Sequence, residues 1–132
     1  MDNMNQYRAG FCNIGDREIR LRKRMLLVFA GITLFFSVCY ILYRDSLAML
    51  LLVFFTSAIS FLIIMEIRQQ FCVLFGIFNI YNFGKLGELK TVECKESSHK
   101  DRLRALRMIT FSFLFAAVYV KILFFTCVFT GL

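Results

Sequence analysis

The chain has 132 residues, of which 59% are hydrophobic, and it carries a formal net charge of +7. Soluble domains contain about 45–50% apolar residues. The apolar residues here are gathered in long blocks, for which lipid is the natural solvent. A basic excess beside such blocks is typical of membrane topology, so the charge alone does not indicate nucleic acid. Composition therefore predicts a small membrane protein and argues against a nucleic-acid-binding protein.

The first membrane-spanning helix is predicted at residues 25–43, after a basic cytoplasmic arm and helix start at residues 1–24. Asp16 can cap this helix, and acidic side chains in its first turn lie next to the positive end of the helix dipole. No residue from 25 to 43 is charged. About nineteen helical residues are enough to cover a hydrocarbon core of ~30 Å, so this segment is expected to span.

The second span is predicted at residues 46–65, directly after a charged break at Arg44 and Asp45. Asp45, followed by Ser46, offers a helix N-cap at this point. The alternative is one continuous helix of about forty residues, which would place an Arg–Asp pair near the middle of the membrane. We therefore expect the chain to turn back at once and form a tight helical hairpin.

Residues 67–83 contain the apolar sequence FCVLFGIFNIYNF, which is shorter than the seventeen or so residues that a span needs. Gly76, Asn79 and Asn82 also interrupt it. The segment is therefore predicted to be an interfacial or re-entrant helix on the cytoplasmic side. A polar cytoplasmic loop is expected at residues 84–98.

The third span is predicted within residues 99–130, behind an amphipathic helix start. Ser98 and Asp101 have the spacing of a capping box, so this helix is expected to begin near His99. Its apolar part contains one charge, Lys121. An ammonium inside a span costs about 2.5–3.5 kcal/mol unless it snorkels or finds a partner. Lys121 is therefore either a functional intramembrane charge or a snorkelling side chain paired with lipid.

Together these elements predict an all-α integral membrane protein with three transmembrane helices, a hairpin plus a C-terminal span, and one short interfacial or re-entrant helix. Fourteen of the sixteen Lys and Arg residues fall at one end of this arrangement. The positive-inside bias places that end and the N-terminus in the cytoplasm and the C-terminus outside, as in a bacterial inner membrane.

Basic side chains flank the first and third spans where head groups lie, and each contributes about 1 kcal/mol of attraction to an anionic surface. Their ordinary role is to anchor topology, and contact with anionic lipid or an acidic partner is the alternative. The candidate contacts are Arg20, Arg22, Lys23, Arg24, Arg102, Arg104 and Arg107. Glu18, Glu66 and Asp101 lie near these residues and are expected to form ion pairs on helix surfaces.

Polar and reactive side chains also collect at the cytoplasmic boundary. Asn13, Gln70 and Asn82 are predicted to form a polar cluster there. A thiol or metal site is possible because thiolate and imidazole suit zinc or copper(I). Its candidate ligands are Cys12, Cys72, Cys94 and His99. Isolated cysteines without paired spacing are more often packing residues, so the packing interpretation is favoured over a thiol or metal site.

The sequence contains no GxSxG, HExxH, P-loop or GxGxxG motif and only one histidine. We therefore predict no catalytic residues and no cofactor. The favoured hypothesis is an accessory or assembly subunit of a larger membrane complex, which contacts lipids and other membrane helices. One alternative is a self-assembling channel, small-solute carrier or holin-like pore. A second is a thiol- or metal-dependent protein at the cytoplasmic membrane surface.

Overall fold

The computed structural model describes residues 7, 9–43, 46–82, 84 and 89–131. Its elements in chain order are α1 (Asp16–Leu42), α2 (Leu47–Gln69), α3 (Val73–Phe78), β1 (Ile80–Tyr81), β2 (Lys90–Thr91) and α4 (Lys95–Phe129). Helices α1, α2 and α4 are long and apolar enough to cross a membrane. The prediction of a mostly helical chain with three long apolar helices is confirmed.

Helices α1 and α2 form an antiparallel hairpin. Arg22 near the start of α1 contacts Glu66 near the end of α2, and Thr33 contacts Ser60 further along both helices. Ser46 caps α2, since its hydroxyl accepts a hydrogen bond from the backbone N–H of Met49 at 3.4 Å. The charged break predicted at residues 44–45 lies outside the described residues.

Helix α4 packs antiparallel against α2. Arg104 near the start of α4 donates to Gln69 at the end of α2, whereas the rings of Phe54 and Phe113, earlier in α2 and later in α4, lie 5.8 Å apart between centroids. The start of α1, the end of α2 and the start of α4 therefore meet at one end of the bundle, which we call the polar end. Most of the basic residues lie in the segments that meet there.

Within the predicted segment 67–83, the described residues 67–82 do not form the single short helix that was expected. Helix α2 continues to Gln69, the six-residue α3 follows, and β1 begins at Ile80. Strand β1 pairs with β2, with Ile80 opposite Thr91 and Tyr81 opposite Lys90. The breaks follow from two residues with left-handed backbones, Gln70 (φ 51°) and Asn79 (φ 58°), which end α2 and α3. The polar end thus contains extended chain that the all-α prediction lacked.

Helix α4 begins four residues earlier than His99, at Lys95, with Cys94 in the N-cap position. The predicted capping box is therefore wrong. Its two members make tertiary contacts instead, because the Ser98 hydroxyl donates to the side-chain oxygen of Asn79 and Asp101 bonds the N-terminal arm. Similarly, α1 begins at Asp16 itself, and Gly15 occupies its N-cap position.

A small buried cluster joins α2, α3 and α4 just beside the polar end. It consists of Phe71, Val73, Ala105 and Met108, with the partly buried Leu62, Met65 and Ile109 packed against it. Phe71 is fully buried. Burial of these side chains fixes α3 against the first turns of α4 and so positions the residues of the polar end.

Candidate functional site at the polar end

Three charged side chains form a buried ion-pair network between α1 and α2. The Arg22 Nη1 atom donates to Glu18 Oε2 at 2.8 Å, and its Nε atom donates to Glu66 Oε2 at 3.0 Å. Glu18, Arg22 and Glu66 are each no more than 8% exposed. The prediction that Glu18 and Glu66 form surface ion pairs is wrong, because the hairpin buries both carboxylates against one guanidinium.

The second oxygen of each carboxylate fixes another segment of the polar end. Glu66 Oε1 accepts a hydrogen bond from the backbone N–H of Val73, the first residue of α3, at 3.0 Å. Glu18 Oε1 accepts one from the Asn82 side-chain amide at 3.1 Å. The network therefore holds four segments together. It contains two carboxylates and one guanidinium, and buried charges of this kind are tolerated only when every oxygen has a donor.

The N-terminal arm, which we define as residues 7 and 9–15, is inserted between these segments. The Asn13 side chain accepts from the Cys72 backbone N–H at 2.7 Å and donates to the Cys72 carbonyl at 3.1 Å. Its backbone N–H donates to the Gln70 carbonyl, and its carbonyl accepts from the Asn82 N–H. The structure thus brings Asn13, Gln70 and Asn82 together, the three residues of the predicted polar cluster.

A second contact fastens the arm to α4. The carboxylate of Asp101, which is fully buried, accepts a hydrogen bond from the Tyr7 hydroxyl at 2.7 Å and one from the Gly10 N–H at 2.6 Å. The Tyr7 ring also stacks on Tyr81 of β1, with centroids 4.7 Å apart. Partial burial, and then the bond to Asp101, raise the pKa of the Tyr7 phenol well above its usual value.

Replacing Tyr7 with Phe tests this fastening. The variant keeps the stacked ring and loses one hydrogen bond to a carboxylate, so the free energy of unfolding is expected to fall by about 1–2 kcal/mol. Because the phenol's pKa is raised on folding, its contribution is complete at neutral pH and is lost as pH rises above about 10. Unfolding of both proteins in detergent at several pH values measures this. Equal stability of both proteins at pH 7 would contradict it.

The seven predicted basic contacts fall into three groups by their exposure. Arg22 lies in the buried network and is therefore not available to head groups, in contrast to its prediction as a lipid or partner contact. Arg104 is half-buried and donates to the Gln69 side chain from Nε at 2.9 Å. The remaining candidates are exposed: Arg20, Lys23, Arg24, Arg102 and Arg107.

The candidate thiol and metal ligands are divided between two places. Cys72 lies in the buried junction with Asn13, and the half-buried Cys12 lies near the Gln70 side chain at 3.8 Å. Cys94 and His99 instead line an open cavity of about 420 Å³ at the start of α4. Within the part of the chain that the structure describes, no group of three or more His, Cys, Asp or Glu side chains is placed to hold a metal. All five cysteines are described, and none forms a disulfide.

The thiols of Cys72 and Cys94 should differ strongly in their reactivity. Burial raises the pKa of the Cys72 thiol, whereas hydrogen bonding from the Ser97 backbone lowers the pKa of the exposed Cys94 thiol. Thiolate is the reactive form. With a maleimide at pH 7 in mild detergent, Cys94 is expected to be labelled at least tenfold faster than Cys72. Peptide mass spectrometry measures both rates, and unfolding in dodecyl sulfate should remove the difference. Similar rates before unfolding would count against the described burial of Cys72.

Lys121 lies far from the polar end, on an exposed face of α4. Its Nζ atom lies 5.9 Å from the centroid of the Phe125 ring, one helical turn further on. Helix α4 ends at Phe129, so Lys121 is about 12 Å from the helix end. The Lys121 side chain is therefore exposed on the outer surface of the bundle.

The burial of Glu18, Glu66 and Asp101 was not predicted from the sequence, nor was the contact of Tyr7 with Asp101. The four-residue spacing of Glu18 and Arg22 was a signal for their pairing, but it did not reveal the third member from α2. Asp101 was assigned to a local cap because its spacing from Ser98 matched one. Nothing in the local sequence indicates that Tyr7, ninety-four residues away, is its partner.

The polar end is a junction of several segments whose buried polar side chains already have hydrogen-bond partners. Among the described residues, every buried side-chain nitrogen and oxygen has a hydrogen-bond partner. Comparison with known proteins finds no matching family model, no matching curated protein and no matching solved structure.

Proposed function

We propose that the protein is a non-enzymatic integral membrane protein that acts as an accessory or assembly subunit of a larger membrane complex. The observation that carries this proposal is the large apolar surface that the three long helices leave uncovered. In their most apolar segments only 17%, 28% and 17% of the residues of α1, α2 and α4 are buried. Such faces need lipid or other membrane helices as neighbours.

Helix α4 offers the most extensive surface for a partner. Large apolar side chains project from it along its whole apolar length, and aromatic side chains are enriched where protein surfaces meet. Those at least 45% exposed include Phe111, Leu114, Phe115, Val118, Ile122, Phe124, Phe125, Val128 and Phe129. Helices α1 and α4 both pack mainly on α2 and touch each other where the Ser37 and Tyr119 hydroxyls lie 3.0 Å apart, so each keeps an outer face for other helices.

The polar end supports a structural role over a catalytic one. Its carboxylates and amides are occupied by contacts within the chain, which hold the arm and the helix ends in one arrangement. A general acid or base would need a free path to a substrate proton. A rigid polar end instead presents the apolar helices at fixed positions relative to one another, as an assembly subunit requires.

Orientation and location are part of the same proposal. The basic residues concentrated at the polar end favour a cytoplasmic N-terminus and an external C-terminus, by the positive-inside rule. A bacterial inner membrane fits this arrangement. Exposed basic side chains at that end, such as Arg20, Lys23 and Arg102, would then lie among anionic head groups.

Extraction in a mild detergent or native nanodiscs, followed by native mass spectrometry of the intact particle, tests the proposal. The expected particle contains this chain together with at least one different membrane protein at fixed stoichiometry. The same sample in a dissociating detergent, in which the partner should be lost, is the control. A homo-oligomer would contradict the subunit role and favour a self-assembling pore, and a lone chain would contradict both.

Lys121 provides a residue-level prediction. A charge on an apolar helix is usually retained for a partner, so Lys121→Leu is expected to reduce partner recovery at least fivefold, whereas Lys121→Arg should retain it. The exposed apolar-to-apolar change Ile122→Leu on the same helix is the control. Quantitative mass spectrometry of the recovered partner measures all three. Full recovery with Lys121→Leu would place Lys121 at a lipid-facing position outside the partner interface.

A further inference from the structure

A groove runs between the N-terminal arm and α4 at the polar end. It has a volume of about 220 Å³, and residues 9–11 of the arm line one side. Lys100, Leu103, Arg104 and Arg107 of α4 line the other. The uncharged stretch of α4 begins directly after this set, at Met108. In a membrane the groove would therefore lie at the boundary between head groups and hydrocarbon.

The groove exists because the arm approaches α4 closely at one glycine. Gly10 has a left-handed backbone (φ 71°), and a Cβ atom there would lie 3.3 Å from the Cβ atom of Lys100. Its N–H donates to Asp101, which holds the arm in place. The arm then continues along α4 and presents Phe11 at the side of the groove.

One side of the groove is cationic. Lys100, Arg104 and Arg107 are spaced four and three residues apart, which places them on the same face of α4. Arg104 is oriented by the Gln69 side chain, and its guanidinium carbon lies 6.0 Å from the centroid of the Phe11 ring. Lys100 pairs with Glu96 at 3.3 Å, but both side chains are more than half exposed, so this pair is weak.

The other part of the groove is apolar and uncovered. The Phe11 side chain is 67% exposed and Leu103 is 42% exposed, although both are large hydrophobic residues. The carboxylates of an acidic peptide would pair with the three cations but would leave the apolar surface of Phe11 and Leu103 uncovered. An anionic phospholipid satisfies both, because its phosphate can bind the cations while the glycerol backbone and the first methylenes of an acyl chain, which are joined to that phosphate, contact the neighbouring apolar side chains.

We propose that this groove is a binding site for one anionic phospholipid, with its phosphate at Lys100, Arg104 and Arg107 and the glycerol backbone and upper part of an acyl chain against Phe11 and Leu103. The inference rests on the proposed membrane location and is independent of the proposed partner subunit. Arg107 lies closest to the apolar stretch and would bind the phosphate from the membrane side. Arg104, already fixed by Gln69, would bind it without losing further side-chain freedom.

The test compares lipid binding by two charge-matched double variants of the full chain. Lys100→Gln with Arg107→Gln removes two exposed charges from the groove, and Arg20→Gln with Lys23→Gln removes two exposed charges from α1 at the same end of the bundle. Each protein is purified in a neutral detergent and titrated with phosphatidylglycerol or phosphatidylcholine. Native mass spectrometry counts the bound lipids.

The original chain and the α1 variant are expected to bind one phosphatidylglycerol at least tenfold more tightly than phosphatidylcholine, and the groove variant should lose this preference. Phe11→Ser should weaken phosphatidylglycerol binding at least threefold without removing a charge. Equal losses in the two charge variants would overturn the proposal and indicate general attraction to a basic surface. Displacement of the lipid by glycerol 3-phosphate at the same concentration would overturn it in favour of a phosphate site.

The membrane location is tested separately by carbonate extraction of cell membranes. A chain that leaves the membrane in carbonate would contradict the membrane location on which the proposal depends. A chain that stays embedded but shows no preference for phosphatidylglycerol would contradict the groove alone. Helical content by circular dichroism should be the same for all variants, because the substituted groups are exposed.

Discussion

Replacing Arg22 with methionine is expected to lower the free energy of unfolding by about 3–5 kcal/mol, because it leaves two carboxylates buried without their cation. Glu18 and Glu66 are each 7% exposed, and Arg22 donates to both. Methionine has similar length and helix propensity, so the loss reports the charge and its hydrogen bonds. Chemical or thermal unfolding in a mild detergent measures it.

Two matched variants separate the network from the general effect of losing an arginine. Arg20→Met removes an exposed arginine two residues earlier on the same helix and is expected to change stability by no more than about 0.5 kcal/mol. Combining Arg22→Met with Glu18→Gln and Glu66→Gln removes the unpaired charges and should recover about half of the loss. If Arg22→Met is no less stable than Arg20→Met, the ion pair has no role in the fold.

The long helices could be predicted because their cause is local. A run of uncharged apolar residues, such as 25–43, specifies a helix that needs an apolar surrounding wherever it packs. The start of α2 could also be predicted, since the Ser46 hydroxyl caps this helix. The apolar pattern did not predict how far each helix extends beyond its apolar part, because charged turns continue a helix as readily as apolar ones.

The ends of the short elements were harder to predict because distant residues decide them. The chain from Gln70 to Asn82 reads as one apolar segment, but bonds from Asn13 and Glu66 fix its backbone in separate pieces. In the same way, Ser98 and Asp101 match a cap in spacing, yet their partners are Asn79 and Tyr7. Local spacing was a reliable guide only where no tertiary partner competed for the same side chain.

Which residues form the polar cluster of the candidate site could be predicted from the sequence, but their hydrogen-bond partners could not. Asn13, Gln70 and Asn82 meet because they flank elements that end at the same level of the bundle. The buried carboxylates were assigned to the surface since acidic residues beside arginines are usually solvated there. Only the packing of α1 on α2 shows that Arg22 faces inward whereas Arg20 and Arg24, two residues either side, do not.

Gly76 is a position where one added methyl group should disturb the whole polar end. A Cβ atom there would lie 2.7 Å and 2.9 Å from two ring carbons of Phe71 and 3.0 Å from the carbonyl oxygen of Asp101. Phe71 is fully buried, so its ring has little room to move. Gly76→Ala is therefore expected to lower the free energy of unfolding by about 1–3 kcal/mol, the usual cost of overpacking.

Gly31→Ala is the matched control, because Gly31 also lies within a helix but has no atom within 4 Å of an added Cβ. It is expected to leave stability unchanged or to raise it by up to about 1 kcal/mol, since alanine favours a helix over glycine. Unfolding of both variants in the same detergent gives the difference directly. Equal stability of the two would mean that α3 does not pack closely on α4.

The consequence of Gly76→Ala should extend to the N-terminal arm. Moving α3 away from α4 shifts the Asp101 backbone, and the Asp101 carboxylate is what holds Tyr7 and Gly10. Limited proteolysis is therefore expected to cut the arm several-fold faster in Gly76→Ala than in Gly31→Ala, even under conditions where both remain folded. Because the arm also forms one side of the groove on α4, faster cleavage there should accompany weaker phosphatidylglycerol binding. Cleavage at equal rates would show that the arm is fastened independently of the packing between α3 and α4.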